Sequence, residues 1–364
     1  MKYNFKITTI DKYIIKKFIG TYFFAIVLII GIVIIFDISE KIDNFVDSNA
    51  SIKEIVFDYY ANFVPYYMNM FSPMFVFIAV IFFTSKLASN SEIIAILAGG
   101  ISFKRLMYPY LVSAFAIAAF SLVLNLFVIP HANKGRIDFE HKYIDKRFES
   151  TGRNLHYQIS PGTFMYVESF STYNNTAYKF TLETVDGHNI KSKLSAETAK
   201  WDTTSNSWKL RNYHLREYTG STEKITTGRN MDTTLVITLD DFYMREETVE
   251  TLDYFQLNNM IQTQQMRGDQ KVKFALIEKH TRFAIPFSAF ILTIIGVSLS
   301  SQKRRGGIGL NIGIGIALSF SYILFLRFSQ MFVHTGTLPP GIALWLPNVI
   351  FAIVAVFLYR IAPK

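Results

Sequence analysis

Six stretches of the chain lose almost all charge and become continuous runs of Ile, Phe, Val, Leu and Ala: residues 18–36, 64–84, 108–129, 283–300, 308–332 and 341–359. A helix rises ~1.5 Å per residue, so about 20 such residues cross a ~30 Å hydrocarbon core. The pattern predicts six membrane-spanning helices. The second block carries Pro65, Asn69 and Pro73. Prolines survive in membrane helices whose neighbours satisfy the freed carbonyls, which predicts a kinked helix packed inside the bundle. The first block is too long for a cleavable signal, and Asp37, Ile38, Ser39 and Glu40 follow it instead of a small-x-small cleavage site.

Between the third and fourth blocks the period becomes two. Strand-like runs lie at 163–167, 178–182, 208–213 and 235–239, and turn pairs fall at Asn174-Asn175, Asp186-Gly187, Ser205-Asn206 and Thr227-Gly228. Short strands at this spacing predict a sandwich or jelly roll. Residues 253–281 lack the alternation, are rich in Gln, Asn and Lys, and predict a helix leading into the fourth span. The expected fold is a membrane α-helical bundle of six transmembrane helices with an inserted all-β, jelly-roll-like domain. Residues 1–130 hold helices one to three and a short cytoplasmic helix at about 89–100. Residues 131–280 form the β domain with a helical connector at its end, and 281–364 hold helices four to six.

The net charge of +9 suggests nucleic acid until it is located. Residues 131–280 carry 20 basic and 20 acidic side chains, so the excess flanks the apolar blocks. On one side stand Lys2, Lys6, Lys12, Lys16, Lys17, Lys86, Lys104, Arg105, Lys303, Arg304, Arg305, Arg360 and Lys364, against Asp11 and Glu92. On the other, residues 37–63 hold Lys41 and Lys53 against six carboxylates, and 333–340 hold no Lys or Arg. The positive-inside bias therefore puts both termini in the cytoplasm and the β domain outside it.

Candidate chemistry is sparse. The absence of Cys excludes disulfides, Cys-ligated zinc and a Cys nucleophile. His156, His188 and His214 lack a close second ligand and read as surface or packed histidines. Trp201 and Trp208 read as core residues. No P-loop, zinc-protease or serine-hydrolase motif occurs; neither catalytic residues, nor a metal, nor a cofactor is expected.

Three features remain. Ser91, Glu92, Ile93, Ile94, Ile96, Leu97 and Gly99 belong to a short helix capped by Ser or Asn and ended by Gly99-Gly100. Its apolar face has three possible fates: lying on the membrane, packing under the bundle or docking into a partner. The fifth span has two rows of small residues, Gly309, Gly313, Ala317, Ser321 and Gly307, Asn311, Gly315, Ser319, which favour close helix contact within the chain or between subunits. Lys41, Lys134, Arg136 and Arg327 share the outer level, as solvated interface cations or as ligands for headgroup phosphates.

Three spans, a β insertion, three more spans and a capped helix in the first cytoplasmic hairpin resemble the LptF/LptG permease family of the lipopolysaccharide export ABC transporter. The most specific pieces are Asp11-Lys12-Tyr13-Ile14, Ser91-Glu92 through Gly99-Gly100, Trp201-Asp202 with Trp208-Lys209-Leu210, and Pro339-Pro340-Gly341. They look closer to the LptG branch than to LptF. The resemblance implies a bacterial inner-membrane permease subunit, not an enzyme. It would pair with a homologous permease, be driven by a cytoplasmic LptB-like ATPase dimer, and meet a single-span LptC-like bridge protein. Its cargo would be lipopolysaccharide, taken from the outer leaflet of the inner membrane and passed by the β domain to a periplasmic bridge. The short helix would couple to the ATPase, and the first and fifth spans would line the gate. Lys41 and Arg136 fall where the family is basic, but Ile34 and Glu40 stand where some members carry lysines. Competing readings are a permease for other lipids or lipoproteins, a membrane-anchored sensor or scaffold, and a membrane enzyme. The first usually has four spans, the second needs a cytoplasmic output domain, and the third lacks paired catalytic groups.

Overall fold

The computed structural model describes residues 7–48, 50–144, 151–187, 189–203, 205–220, 222–235, 242, 246–269, 271–302 and 307–362. Lys2, Lys6, Lys303, Arg304, Arg305, Lys364, His188 and four of the five residues of the 235–239 run lie outside the described residues. The chain divides into a helical unit, residues 1–144, 250–254 and 276–364, and a β unit, residues 145–249 and 255–275.

Among the described residues, six helices are long and apolar enough to cross a membrane. Helix α1 (Thr9–Asp47) opens with a capping box in which Thr8 and Asp11 bond reciprocally. Its 39 residues reach about 58 Å at 1.5 Å each, well beyond the apolar run, because no breaker intervenes before Ser48. The single second helix expected from the pattern is two: α2 (Ala61–Met70) and α3 (Ser72–Ser89), divided at Phe71 (φ −91°, ψ 2°). Pro73 explains the break. It lacks an N–H and is most easily placed in the first turn of a helix, which is where it stands in α3.

After α4 (Glu92–Ala98), helix α5 (Phe103–Val123) passes through a π-helical turn, Leu124–Val128, into α6 (Ile129–Phe139) and a second π turn, Glu140–Ile144. The third span thus extends well past the expected end at residue 129.

The first bundle core joins Ile14, Phe18 and Tyr22 of α1 to Phe75, Val76, Ala79 and Val80 of α3 and Tyr110 of α5. Polar clamps cross it. Tyr22 and Ser72 bond at 3.0 Å, Thr84 donates to Tyr110 at 3.1 Å, and Asn69 exchanges amide bonds with Asn125 while accepting from Ser121 at 2.6 Å. Inter-helix bonds in membranes are worth ~0.6 kcal/mol each on average, so they fix register more than they add stability.

In the β unit, β1 (Thr151–Ser160), β2 (Thr163–Ser171), β3 (Thr176–Asp186), β4 (Asn189–Asp202), β5 (Ser207–Thr219) and β6 (Thr222–Thr233) form one antiparallel sheet in sequential order. The expected all-β insertion is present, and its described strands run as an up-and-down meander. Turns at Gly162, Asn175, Gly187, Asn206 and Gly220, all with positive φ, join each described strand to the next as a hairpin. Met165, Val167, Phe180, Leu194, Ala196, Trp208 and Leu210 bury one face. Trp208 is core, whereas Trp201, its cross-strand neighbour at 5.1 Å, is half-buried. Thr227-Gly228 is not a turn. Gly228 lies within β6 opposite Tyr213, where a Cβ would come 2.6 Å from the ring, so the glycine makes room for an aromatic side chain.

The connector is a helix, α8 (Tyr254–Arg267), after the short α7 (Glu246–Glu250). It stops at Gly268 (φ +63°) instead of running into α9 (Val272–Ser300). Helices α10 (Gly307–His334) and α11 (Pro340–Ile361) complete the chain.

Candidate functional site

At the end of the bundle where α1 begins, one short helix is pinned from two directions. Ile93, Ile96 and Leu97 of α4 pack into the first core, while Ile94 is exposed. Positions three and four apart share a face, which groups Ile93 with Ile96 and Leu97, and Ile94, about 100° round the helix from Ile93, falls at the rim of that face. The expected side-chain cap is not formed. Ser91 adopts φ +62° and caps nothing; Asn90 instead donates to Glu92 at 3.2 Å. Glu92 also accepts from Tyr13 of α1 at 3.5 Å. Gly99 ends the helix as expected, and Gly100 takes the left-handed conformation (φ +86°).

Below this hairpin, Arg105 of α5 grips Asp11 of α1 with both arms, at 2.7 and 2.5 Å. Asp11 is almost fully buried. This fork fixes α1 to the segment that follows α4. The sequence marks Arg105 only for membrane orientation, and Asp11 for orientation and for the family resemblance, without pairing the two. The spacing of Thr8 and Asp11 was the available signal that Asp11 has a structural task.

At the other end, Lys41 of α1 lies 2.9 Å from Asp37 and 3.6 Å from Glu140, and donates to the Tyr59 hydroxyl. Asp37 accepts from Tyr59 at 3.3 Å and from Tyr60 at 3.0 Å. Arg136 of α6 reaches Glu140 at 3.3 Å and Glu250 at 3.8 Å, and stacks over Tyr66 at 5.0 Å. Glu250 accepts from Tyr66 at 3.2 Å and from Asn133 at 3.3 Å. Burial and the nearby Glu278 carboxylate push the Glu250 carboxyl up to about 7. Beside this network Glu54 shows the opposite behaviour: hydrogen bonds from Tyr143 and Ser51 hold it down at about 2.

Of the four expected cations, two are thus brought together through a shared carboxylate. Lys134 is exposed on the same helix as Arg136. Arg327 is exposed on α10, bonding Gln330 at 3.2 Å and meeting the Met70 sulfur at 3.5 Å. The carboxylates were missed in the sequence, although Asp37/Lys41 and Arg136/Glu140 are both four apart, the spacing of helix ion pairs.

The two small-residue rows of α10 have opposite fates. Asn311 donates to Ser85 of α3 at 3.0 Å, and a Cβ on Gly315 would stand 2.5 Å from Ile81. Gly309 and Gly313 have nothing within 4 Å of a would-be Cβ, and Ala317 and Ser321 are exposed beside them. Only 28% of the most apolar stretch of the first and fifth spans is buried, against 72% for α3 and α9. The exposed row therefore lies on a helix with most of its apolar surface unpartnered in the single chain.

His156 and His214 are exposed, and no cluster able to hold a metal occurs among the described residues.

Six apolar helices among the described residues, with an antiparallel sheet inserted between the third and fourth, define a polytopic membrane protein. The family model described as lipopolysaccharide export system permease LptF/LptG matches residues 12–361, and the chain belongs to that family. Members are permease subunits of the export system rather than catalytic ones. No curated protein matches the chain.

Proposed function

We propose that this chain is one half of the membrane channel that lifts lipopolysaccharide out of the outer leaflet of the inner membrane and passes it to a periplasmic bridge. A homologous permease supplies the other half, a cytoplasmic ATPase dimer the force, and a single-span bridge protein the exit. The LptG branch is the assignment we favour, on the pieces around Asp11, Ser91, Trp201 and Pro339. Both termini lie in the cytoplasm and the β domain in the periplasm, following the Lys/Arg bias of the loops.

The observation that carries this reading is α4. It is locked to the bundle through Ile93, Ile96 and Leu97, and presents Ile94 outward, in a chain without a phosphate-binding loop of its own. A transporter subunit that cannot bind nucleotide must receive work mechanically. Each CH₂ drawn from the bilayer costs ~0.8 kcal/mol, so a many-chained glycolipid does not leave unaided. ATP on the partner shifts the bundle between two arrangements, and α4 is the joint. Lys41 and Arg136 receive the headgroup, with Lys134 and Arg327 as outlying cations. The open row Gly309, Gly313, Ala317 and Ser321 on α10 forms the gate contact with the partner permease.

The test is purification in detergent with identification of the accompanying chains. An ATPase and a second six-span homologue are expected; a native complex lacking any ATP-hydrolysing subunit contradicts the proposal.

A further inference from the structure

We infer that Glu140 is a displaceable internal anion, which occupies Lys41 and Arg136 until a phosphate monoester takes its place and thereby rejects ordinary phosphodiester lipids. The inference rests on the proposed role of Lys41 and Arg136 as headgroup ligands, and adds what that site selects.

Three carboxylates touch the two cations. Asp37 pairs with Lys41 at 2.9 Å, Glu250 approaches Arg136 at 3.8 Å, and Glu140 reaches both, at 3.6 and 3.3 Å. Even with Glu250 protonated, Asp37 and Glu140 balance Lys41 and Arg136, so an arriving anion meets no net attraction until one of these carboxylates yields. They are not equally held. Asp37 also accepts from Tyr59 and Tyr60, and Glu250 from Tyr66 and Asn133. Withdrawing either strands hydroxyl or amide donors in a partly dry site. Glu140, among the described residues, accepts hydrogen bonds from Arg136 alone and pairs with Lys41 by charge. Withdrawing it strands only groups that a phosphate re-pairs.

Arg136 has capacity to spare. Its Nε is buried without an acceptor, although the residue is only 8% exposed. A tetrahedral anion in the place of Glu140 meets the guanidinium fork along an edge that the carboxylate leaves unused.

The exchange sets a charge threshold. A phosphate monoester carries about −1.5 to −2 at neutral pH, whereas a diester carries a single charge. Trading a carboxylate for a diester gains the two cations nothing; trading it for a monoester gains about half to one charge. Glu140 also opens the π-helical turn Glu140–Ile144, from which the chain proceeds toward the β domain. Its release loosens that turn.

The test compares two lipids with identical tails, dioleoyl phosphatidic acid and dioleoyl phosphatidylglycerol, binding to the full-length protein in detergent. The wild type prefers the monoester. Glu140→Gln, which keeps size and hydrogen bonding, reduces that preference by roughly fivefold or more, mainly through tighter diester binding. Lys41→Gln and Arg136→Gln both weaken monoester binding. If those two variants change nothing, the headgroup site itself is wrong. If they act and Glu140→Gln leaves the preference unchanged, this inference alone fails. In the wild type, the monoester speeds amide exchange across residues 140–144 and the diester does not; unchanged exchange with both lipids overturns the displacement without recourse to a variant.

Discussion

Arg105 holds Asp11 through two hydrogen bonds, 2.7 and 2.5 Å long, across 94 positions of chain. The carboxylate is shared with the cap of α1, since Thr8 donates to it through its backbone N–H at 2.7 Å. One side chain therefore both starts α1 and ties it to α5.

Removing that charge has a definite cost. Asp11→Asn keeps the shape of the cap but loses the ion pair, and a hydrogen bond to a charged group is worth about 1.5–3 kcal/mol. Thermal unfolding in detergent is expected to show a loss in that range, with the larger effect in Asp11→Ala, which loses the cap as well. An unchanged midpoint for Asp11→Asn contradicts a structural clamp.

The two faces of α4 separate folding from assembly. Ile93→Asp places a charge in the first core and is expected to prevent folding, through the burial of an unpaired charge. Ile94→Asp alters only an exposed position. It is expected to leave the melting curve within about 0.5 kcal/mol of wild type and to abolish capture of the ATPase in a pull-down from membranes. Retention of the ATPase by Ile94→Asp moves the joint elsewhere.

Likewise the two rows of α10 distinguish packing from pairing. Gly315→Val drives a side chain into Ile81 and is expected to destabilise the isolated chain by about 1–3 kcal/mol. Gly313→Val meets nothing in the chain. It leaves unfolding of the single chain nearly untouched, and is expected to weaken association with the homologous permease, read as dissociation on size exclusion.

The two shifted glutamates predict opposite pH responses. Glu250 sits at about 7, above its ordinary 4.5, so its contribution is complete below about 4.5 and is lost as pH rises through about 7. Glu54 sits at about 2, so its contribution is complete above about 4.5 and is lost as pH falls toward 2. In melting curves, Glu250→Gln is expected to flatten the decline between pH 5 and 8, and Glu54→Gln to remove part of the acid-side loss. A Glu250→Gln profile that keeps the full decline contradicts the first assignment.

Much of the fold was legible because the bilayer imposes a simple code. Length and apolarity located all six spans, and period-two alternation located β2, β3 and β5. Strand β1 escaped because Arg153, Asn154 and His156 interrupt its apolar positions, and β4 and β6 because Lys, Asn and Thr dominate what they expose; Gly228 imitated a turn while accommodating Tyr213. The candidate site was half legible. Lys41 and Arg136 stood out as cations at the right depth, but their carboxylates looked like ordinary loop charge. Glu250 lies 114 residues beyond Arg136, and no local spacing connects them. The rows of α10 looked equivalent in sequence; only Ile81 and Ser85 of α3 reveal which one is already occupied.

The central claim is that this nucleotide-free bundle takes force at α4 and uses it to lift a phosphorylated glycolipid out of the outer leaflet and pass it to a periplasmic bridge. The most direct measurement is transfer of lipopolysaccharide from proteoliposomes, holding this chain with its homologous permease and ATPase, to a soluble acceptor. Transfer is expected to require ATP and to vanish in Ile94→Asp proteoliposomes. Transfer that proceeds equally without ATP, or that survives Ile94→Asp undiminished, contradicts the account.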